Sequence, residues 1–193
     1  EGCILWQGAK TQGYREDPGG RSKVNRTCCS AGAPCCRAEQ ECRKVEIDFL
    51  YLDLSVCGRC IGTDASLDAA VAEVSGVLKA AGFDVVVNKI NITSRELAVK
   101  HRFLSSPTIR VNGRDIQPDI KESACESCAD LCACGDSVDC RVWLHEGAEH
   151  TVPPKEFIVN AILREVYSDT SAPARVMGEY QLPHNLEVFF EGR

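Results

Sequence analysis

Thirteen cysteines dominate the chemistry open to this 193-residue chain. They fall into groups: Cys28, Cys29, Cys35, Cys36 and Cys42; Cys57 with Cys60; and Cys125, Cys128, Cys132, Cys134 and Cys140, with Cys3 alone. An odd number cannot pair completely within one chain. Their density lies just under the roughly 8–10% at which a short secreted chain reads as a disulfide scaffold. Three kinds of chemistry suit such sulfurs: attack on disulfides, ligation of soft metals, and crosslinking.

Cys57-Gly58-Arg59-Cys60 stands between a strand-like run and a helix-like run. At a helix N-terminus, backbone N–H groups and the helix dipole favour a thiolate. Cys57 then reads as a nucleophile and Cys60, one turn on, as the thiol that resolves a mixed disulfide. The positive charge of Arg59 is expected to favour the Cys57 thiolate further. Asp48 and Asp53 interrupt the preceding strand; a carboxylate behind Cys60 would accept its proton, while the plainer reading is a strand-end aspartate facing solvent. Cys-x-x-Cys is equally half of a zinc site or an inert disulfide.

Cys125, Cys128, Cys132, Cys134 and Cys140 supply enough thiolates for a tetrahedral four-sulfur site, with zinc at about 2.3 Å from each. The same five would also staple their segment by disulfides, and iron–sulfur ligation is a third outcome, although the spacing differs from that of bacterial ferredoxins. Cys28-Cys29 and Cys35-Cys36 are vicinal pairs beside Gly32 and Pro34, followed by Cys42. Adjacent cysteines bond each other only with strain, whereas neighbouring thiolates suit soft thiophilic ions such as As(III), Hg(II) or Zn(II). Disulfides from these residues to Cys3, Cys42 or the later cluster are the alternative. His145 and His150 flank a turn and read as hairpin residues before they read as ligands.

Several elements must position these sulfurs. Residues 1–44 show no sustained periodicity and read as a cysteine-rich extension with little core. Val45 to Leu54 is an apolar, β-favouring run, a buried strand. Leu67, Val71, Val74, Leu78 and Ala81 recur at helical spacing, with Gly82 at the cap position. Residues 83–90 read as a second strand, and Thr93 with Glu96 as a capping box for a helix to about Leu104. Thr108–Val111 is a short strand turned by Asn112-Gly113, a strong hairpin signal. A cysteine-rich insertion, 121–140, interrupts before Arg141–Leu144 and Glu149–Val152 flank another turn at Glu146-Gly147. Pro153-Pro154 opens a helix through Phe157, Ile158, Ala161, Ile162 and Val166. Residues 168–193 are a tail whose Leu182, Leu186, Phe189 and Phe190 can dock on the domain. The fold class is α/β, a small central sheet with helices on its faces.

Composition narrows the function. With 28 acidic against 22 basic residues the formal charge is −6, so a nucleic acid is not expected as a partner. No run reaches the roughly 18 apolar residues of a membrane span, and the first ten residues lack the basic start and apolar stretch of a signal peptide. A soluble, cytoplasmic protein is expected, with export as the alternative. No Gly-rich phosphate loop and no Ser/His/Asp arrangement is evident.

From Val45 to Tyr167 the sequence resembles the thioredoxin-like superfamily. The features that carry this are Cys57-x-x-Cys60 after the first strand, the β-α-β-α order, and Ser106-Pro107-Thr108 just before a later strand, similar to the family's cis-proline segment. Leu54 to Thr63, with Cys140-Arg141-Val142-Trp143 and Pro153-Pro154-Lys155-Glu156, looks more narrowly like the uncharacterised DUF2703 family. The resemblance implies thiol–disulfide exchange at Cys57 and Cys60 without a required cofactor, with Pro107 presenting backbone to a substrate thiol and Arg59, Thr63 and Ser106 in support. Its partners would be protein or small-molecule thiols and disulfides. Two departures mark the chain: Val56 precedes Cys57 where the superfamily has Trp, and the insertion separates the late strands. The vicinal pairs Cys28-Cys29 and Cys35-Cys36 are similar to the tail of an arsenical metallochaperone, which implies metal or metalloid capture. Thiol–disulfide exchange is therefore the first expectation, soft-metal binding by clustered thiolates the second, and a disulfide-stapled interaction module the third.

Overall fold

The computed structural model describes residues 43–132, 134, 138–168 and 179–192, all within one compact unit, Gln40–Arg193. The vicinal pairs, Cys42 and the rest of the N-terminal extension lie outside the described residues, as does most of segment 169–178.

Strand β1 (Arg43–Tyr51) is central. It runs parallel to β2 (Phe83–Asn91) and antiparallel to β3 (Thr108–Val111), which pairs with the two-residue β4 (Arg114–Asp115), giving the order β2-β1-β3-β4. Helix α1 (Gly58–Ala80) forms the parallel crossover, and α2 (Arg95–Lys100) leads from β2 towards β3. A second sheet, β5-β6-β7, comprises Lys121–Ala124, Asp139–His145 and Ala148–His150, with α3 (Glu126–Cys132) between β5 and β6. Helices α4 (Lys155–Tyr167) and α5 (His184–Glu191) complete the unit. This is the expected mixed α/β arrangement, a small central sheet with flanking helices. No described helix is long and apolar enough to cross a membrane.

The alternation of β1 divides the core. Val45, Ile47 and Phe49 join Leu67, Ala70, Val74 and Leu78 of α1 and Ile158 and Ile162 of α4. Leu50 and Leu52, at the end of the strand, instead join Cys57, Cys60, Ile92, Phe103, the buried cysteines of the insertion, and Leu186 and Phe189 of α5. The side chains expected to dock from the tail do so through α5, where Leu186 and Phe189 are buried and Leu182 and Phe190 pack alongside. The core of 45–54 is thus split between two clusters, because side chains of a strand point alternately to its two faces.

Several local details differ from expectation. Helix α1 starts at Gly58 rather than after Cys60, with Cys57 as its N-cap, so the Cys-x-x-Cys pair occupies its first turn. Ser94, not Thr93, caps α2: its extended backbone lets its hydroxyl accept the Leu97 N–H at 3.3 Å. That helix ends at Lys100, short of Leu104, and Arg102 follows with positive φ. The insertion, read as an interruption, contains β5 and α3. The Asn112-Gly113 and Glu146-Gly147 turns form as expected, each with both residues at positive φ.

Gly62 is enforced by contact with the loop before α4: a Cβ there would come within 2.5 Å of Val152 Cγ2. Overpacking of this kind costs about 1–3 kcal/mol, against about 1 kcal/mol gained by replacing a helical Gly with Ala. Gly62→Ala is expected to lower stability by about 1 kcal/mol, and the same change in a Val152→Ala background to raise it. Thermal or denaturant unfolding of the four proteins of this cycle checks the sign reversal.

Candidate functional site

Four buried sulfurs converge at the N-terminus of α1. The Sγ atoms of Cys57, Cys125, Cys128 and Cys140 all lie within 4.8 Å of one another. Cys128 Sγ is 3.6 Å from Cys57 Sγ and 3.3 Å from Cys140 Sγ. Cys57, Cys128 and Cys140 have no solvent exposure, and Cys125 retains 6%.

Each sulfur arrives by a different route. Cys57 is set by the turn between β1 and α1, where Asp53 Oδ1 accepts the N–H groups of Ser55 at 2.7 Å, Val56 at 2.7 Å and Cys57 at 3.4 Å. Asp53 therefore organises the turn that carries Cys57; it is neither a proton acceptor for Cys60 nor an idle strand-end residue. Cys125 follows β5 and opens α3, its carbonyl accepting from Cys128 N and Ala129 N, so Cys125 and Cys128 share one turn. Cys140 comes from β6, where the register Ser123↔Cys140 sets it across the hairpin from the start of that turn. Cys125 N also donates to Val138 O at 3.0 Å.

Arg59 joins the two halves. Its guanidinium donates to the carbonyls of Ala124 at 2.6 Å, Cys140 at 3.0 Å and Ser123 at 3.2 Å. Its chief role here is to pin the insertion to the first turn of α1. From the other side, Arg141 N donates to the Ser106 carbonyl at 2.7 Å. The fully buried Arg141 side chain holds both carboxylate oxygens of Asp115 at 2.8 Å. Cys140, next in sequence, is thereby fixed in three directions.

Cys60 is also fully buried and lies beside the tetrad, outside it. Its Sγ is 3.4 Å from Ser106 Oγ, which in turn accepts the Leu52 N–H at 3.2 Å. The Ser106–Pro107 bond is cis, and Pro107 is buried. Thr63 is buried one turn beyond Cys60, with no hydrogen-bond partner for its Oγ1 among the described residues. Cys132 and Cys134, grouped in sequence with the ligand candidates, are instead joined as a disulfide. It lies against the end of α5, where a Cβ on Gly192 would come within 2.5 Å of Cys132 O and 2.6 Å of Cys134 Sγ. His145 and His150 face one another in the β6–β7 hairpin, ring centroids 6.5 Å apart, and stand outside the four-sulfur group.

The sulfurs share charge unequally. Hydrogen bonds from Cys125 first, then Cys128, Cys140 and Cys60, hold the Cys57 thiol far below its ordinary value despite burial. Cys128 and then Cys140 lower Cys125 to about 7. Cys140 is pushed up, by Cys125 foremost, then Cys128, Cys57 and burial. Cys128 is likewise pushed up, by Cys125 foremost. Cys60 is raised by its hydrogen bond to Cys57, by burial and by the Cys57 charge. Ionising the first sulfurs opposes ionising the rest, so a fully deprotonated tetrad requires a cation.

The domain of unknown function DUF2703 matches residues 45–162, more than half of the chain. The chain belongs to that family. No curated protein and no solved structure matches it. Among the family features, Cys57 and Cys140 are two of the four converging sulfurs, although 83 residues apart. The sequence grouped Cys140 with its neighbours in the insertion; the paired strands β5 and β6 bring it to Cys57 instead.

Burial opposes ionisation of Asp53, but the Val56 N–H, the Ser55 hydroxyl and N–H, and the Cys57 N–H outweigh it and hold the carboxyl below its ordinary value. Its stabilisation is therefore fully present above the free-carboxylate value of about 4 and is lost as pH falls through the lower folded value. Asp53→Asn, which keeps an acceptor for the turn, is expected to flatten the acid limb of the stability curve. Asp53→Ala is expected to cost about 0.5–2 kcal/mol at neutral pH as well. Denaturant unfolding at a series of pH values separates the two.

Proposed function

We propose that this domain binds one thiophilic metal ion, with Cys57, Cys125, Cys128 and Cys140 as its ligands. The observation that carries the reading is the mutual approach of four buried sulfurs within 4.8 Å. A tetrahedron of thiolates around zinc, each at about 2.3 Å, has edges of about 3.8 Å, close to the 3.6 Å and 3.3 Å approaches among Cys57, Cys128 and Cys140. So compact a set suits a single ion and leaves no room for several irons with bridging sulfides. Four soft donors without an open position match a closed zinc-type site. The helix N-terminus at Cys57 and the Arg59 guanidinium on the Cys140 carbonyl supply positive potential that offsets the excess charge of four thiolates.

The expected thiol–disulfide exchange with external partners is the second reading, favoured by the placement of Cys57 and Cys60 in the first turn of α1. Two observations weigh against it. Cys57 is fully buried, and the Ser106 carbonyl, backbone that the thioredoxin-like resemblance would reserve for a substrate, accepts the N–H of Arg141. β6 occupies the groove that a partner would use.

Reduced full-length protein is expected to hold one zinc per chain that survives replacement of Cys28, Cys29, Cys35 and Cys36 by serine. Cys57→Ser or Cys140→Ser is expected to lose it or to weaken binding at least about tenfold, and cobalt substitution should give the charge-transfer absorption of a tetrahedral thiolate site. Elemental analysis decides. Zinc retained in both single variants, or lost with the four N-terminal changes, would refute the assignment, and insulin reduction that disappears in Cys57→Ser would favour exchange chemistry.

A further inference from the structure

Cys57 belongs to two arrangements that cannot coexist. It is one of the four converging sulfurs, and it is the partner of Cys60, whose thiol hydrogen-bonds to it. A sulfur in a disulfide with Cys60 is no longer a thiolate ligand. Cys60 differs from every other thiol at the site: it is buried beside the tetrad, is not one of its members, and is held by Ser106 Oγ at 3.4 Å. Because the Ser106 hydroxyl oxygen accepts from Leu52 N, its own proton is available to the Cys60 sulfur.

We propose that Cys57 and Cys60 form an oxidation site for hydroperoxides at which disulfide formation releases the bound metal. This rests on the four-thiolate reading. In the first step the Cys57 thiolate attacks one oxygen of hydrogen peroxide. The O–O bond breaks, Cys57 becomes a sulfenic acid, and hydroxide leaves and takes a proton from solvent. In the second step the Cys60 thiol attacks the Cys57 sulfur; the S–S bond forms, the S–O bond breaks, and the sulfenic oxygen leaves as water with the Cys60 proton. Two sulfurs lose one electron each, and one peroxide becomes two waters. The ion is left with three thiolates in a site shaped for four.

Geometry selects this pair over the others. A sulfenic acid on Cys125, Cys128 or Cys140 has tetrad sulfurs as its thiol neighbours, all tied to the ion. A sulfenic acid on Cys57 meets a thiol outside the coordination set, spaced three residues along the same helical turn. Burial selects the oxidant: Cys57 has no exposure, so a small peroxide suits it better than a protein disulfide.

The test uses the full-length chain with Cys28, Cys29, Cys35 and Cys36 as serine, loaded with zinc and exposed to one equivalent of hydrogen peroxide. Zinc release is followed with a chromogenic chelator and disulfides by peptide mapping. One zinc released per peroxide consumed, a Cys57–Cys60 disulfide, and rebinding after a dithiol reductant are expected. Cys60→Ala and Cys60→Ser, which leave all four ligands, are both expected to bind zinc as the parent does and to release it at least tenfold more slowly. Release at the parental rate in either variant that binds zinc, or a disulfide among Cys125, Cys128 and Cys140 in place of Cys57–Cys60, would overturn the switch while leaving the metal site intact. A parent that binds no zinc before peroxide is added overturns both.

Discussion

The arrangement at the sulfurs depends on one guanidinium. Arg59 lies inside the Cys-x-x-Cys sequence, yet its hydrogen bonds go to three carbonyls of a segment more than 60 residues away. Those carbonyls sit on both strands of the β5–β6 hairpin: Ser123 and Ala124 on one, Cys140 on the other. Because an arginine presents several donors in a fixed plane, gripping three acceptors constrains the orientation of the hairpin as well as its distance. Cys125 begins the turn directly after Ala124, so the same contacts fix where α3 starts. Without this clamp nothing in the local sequence of either half would bring Cys57 to Cys125, Cys128 and Cys140.

The insertion is therefore part of the site and not an appendage to it. Arg141 shows the same logic from the other side, its backbone bonded to Ser106 and its buried side chain to Asp115. A buried guanidinium is tolerable only with a well-aligned counter-charge, and the paired geometry with Asp115 meets that condition. The outcome is a groove filled by the chain itself. Where the thioredoxin-like resemblance implies an open backbone edge for a substrate thiol, this chain supplies its own strand and, with Cys140, its own sulfur.

What was legible in the sequence was local. β1, β2 and α4 follow from apolar runs and periodicity, and both hairpin turns from Asn112-Gly113 and Glu146-Gly147, because each depends on residues adjacent in the chain. The docking of Leu186 and Phe189 was legible from their spacing in the tail. The insertion was not. Lys121-Glu122-Ser123-Ala124 has neither alternation nor β-branched residues, and it is a strand only because β6 pairs with it. The tetrad was half legible: three of its members were picked out as ligands and the fourth as a nucleophile, since spacing reports near neighbours and Cys57 is 68 residues from Cys125. Arg59 and Asp53 were singled out for electrostatic or proton-transfer roles. In the fold both are used to hold backbone, something a charge near a cysteine motif does not reveal. A thiol cluster spanning two distant segments would have needed the register of β5 with β6, and that register is set by tertiary packing.

The two core clusters explain why such a site can sit at the edge of a stable domain. The cluster of Val45, Ile47, Phe49, α1 and α4 contains none of the cysteines. The other contains Cys57, Cys60, Cys125, Cys128, Cys132 and Cys140 together with α5. Tyr51 and Leu54, at the end of β1 and in the turn after it, pack against both. Large aliphatic and aromatic side chains hold the first cluster together, independently of the state of any sulfur. The second is built around thiols whose charge depends on a cation and on oxidation, so its packing is conditional. Loss of a ligand sulfur then acts first on the insertion and α5, whose apolar contacts lie in that cluster, while the four-stranded sheet keeps a core of its own.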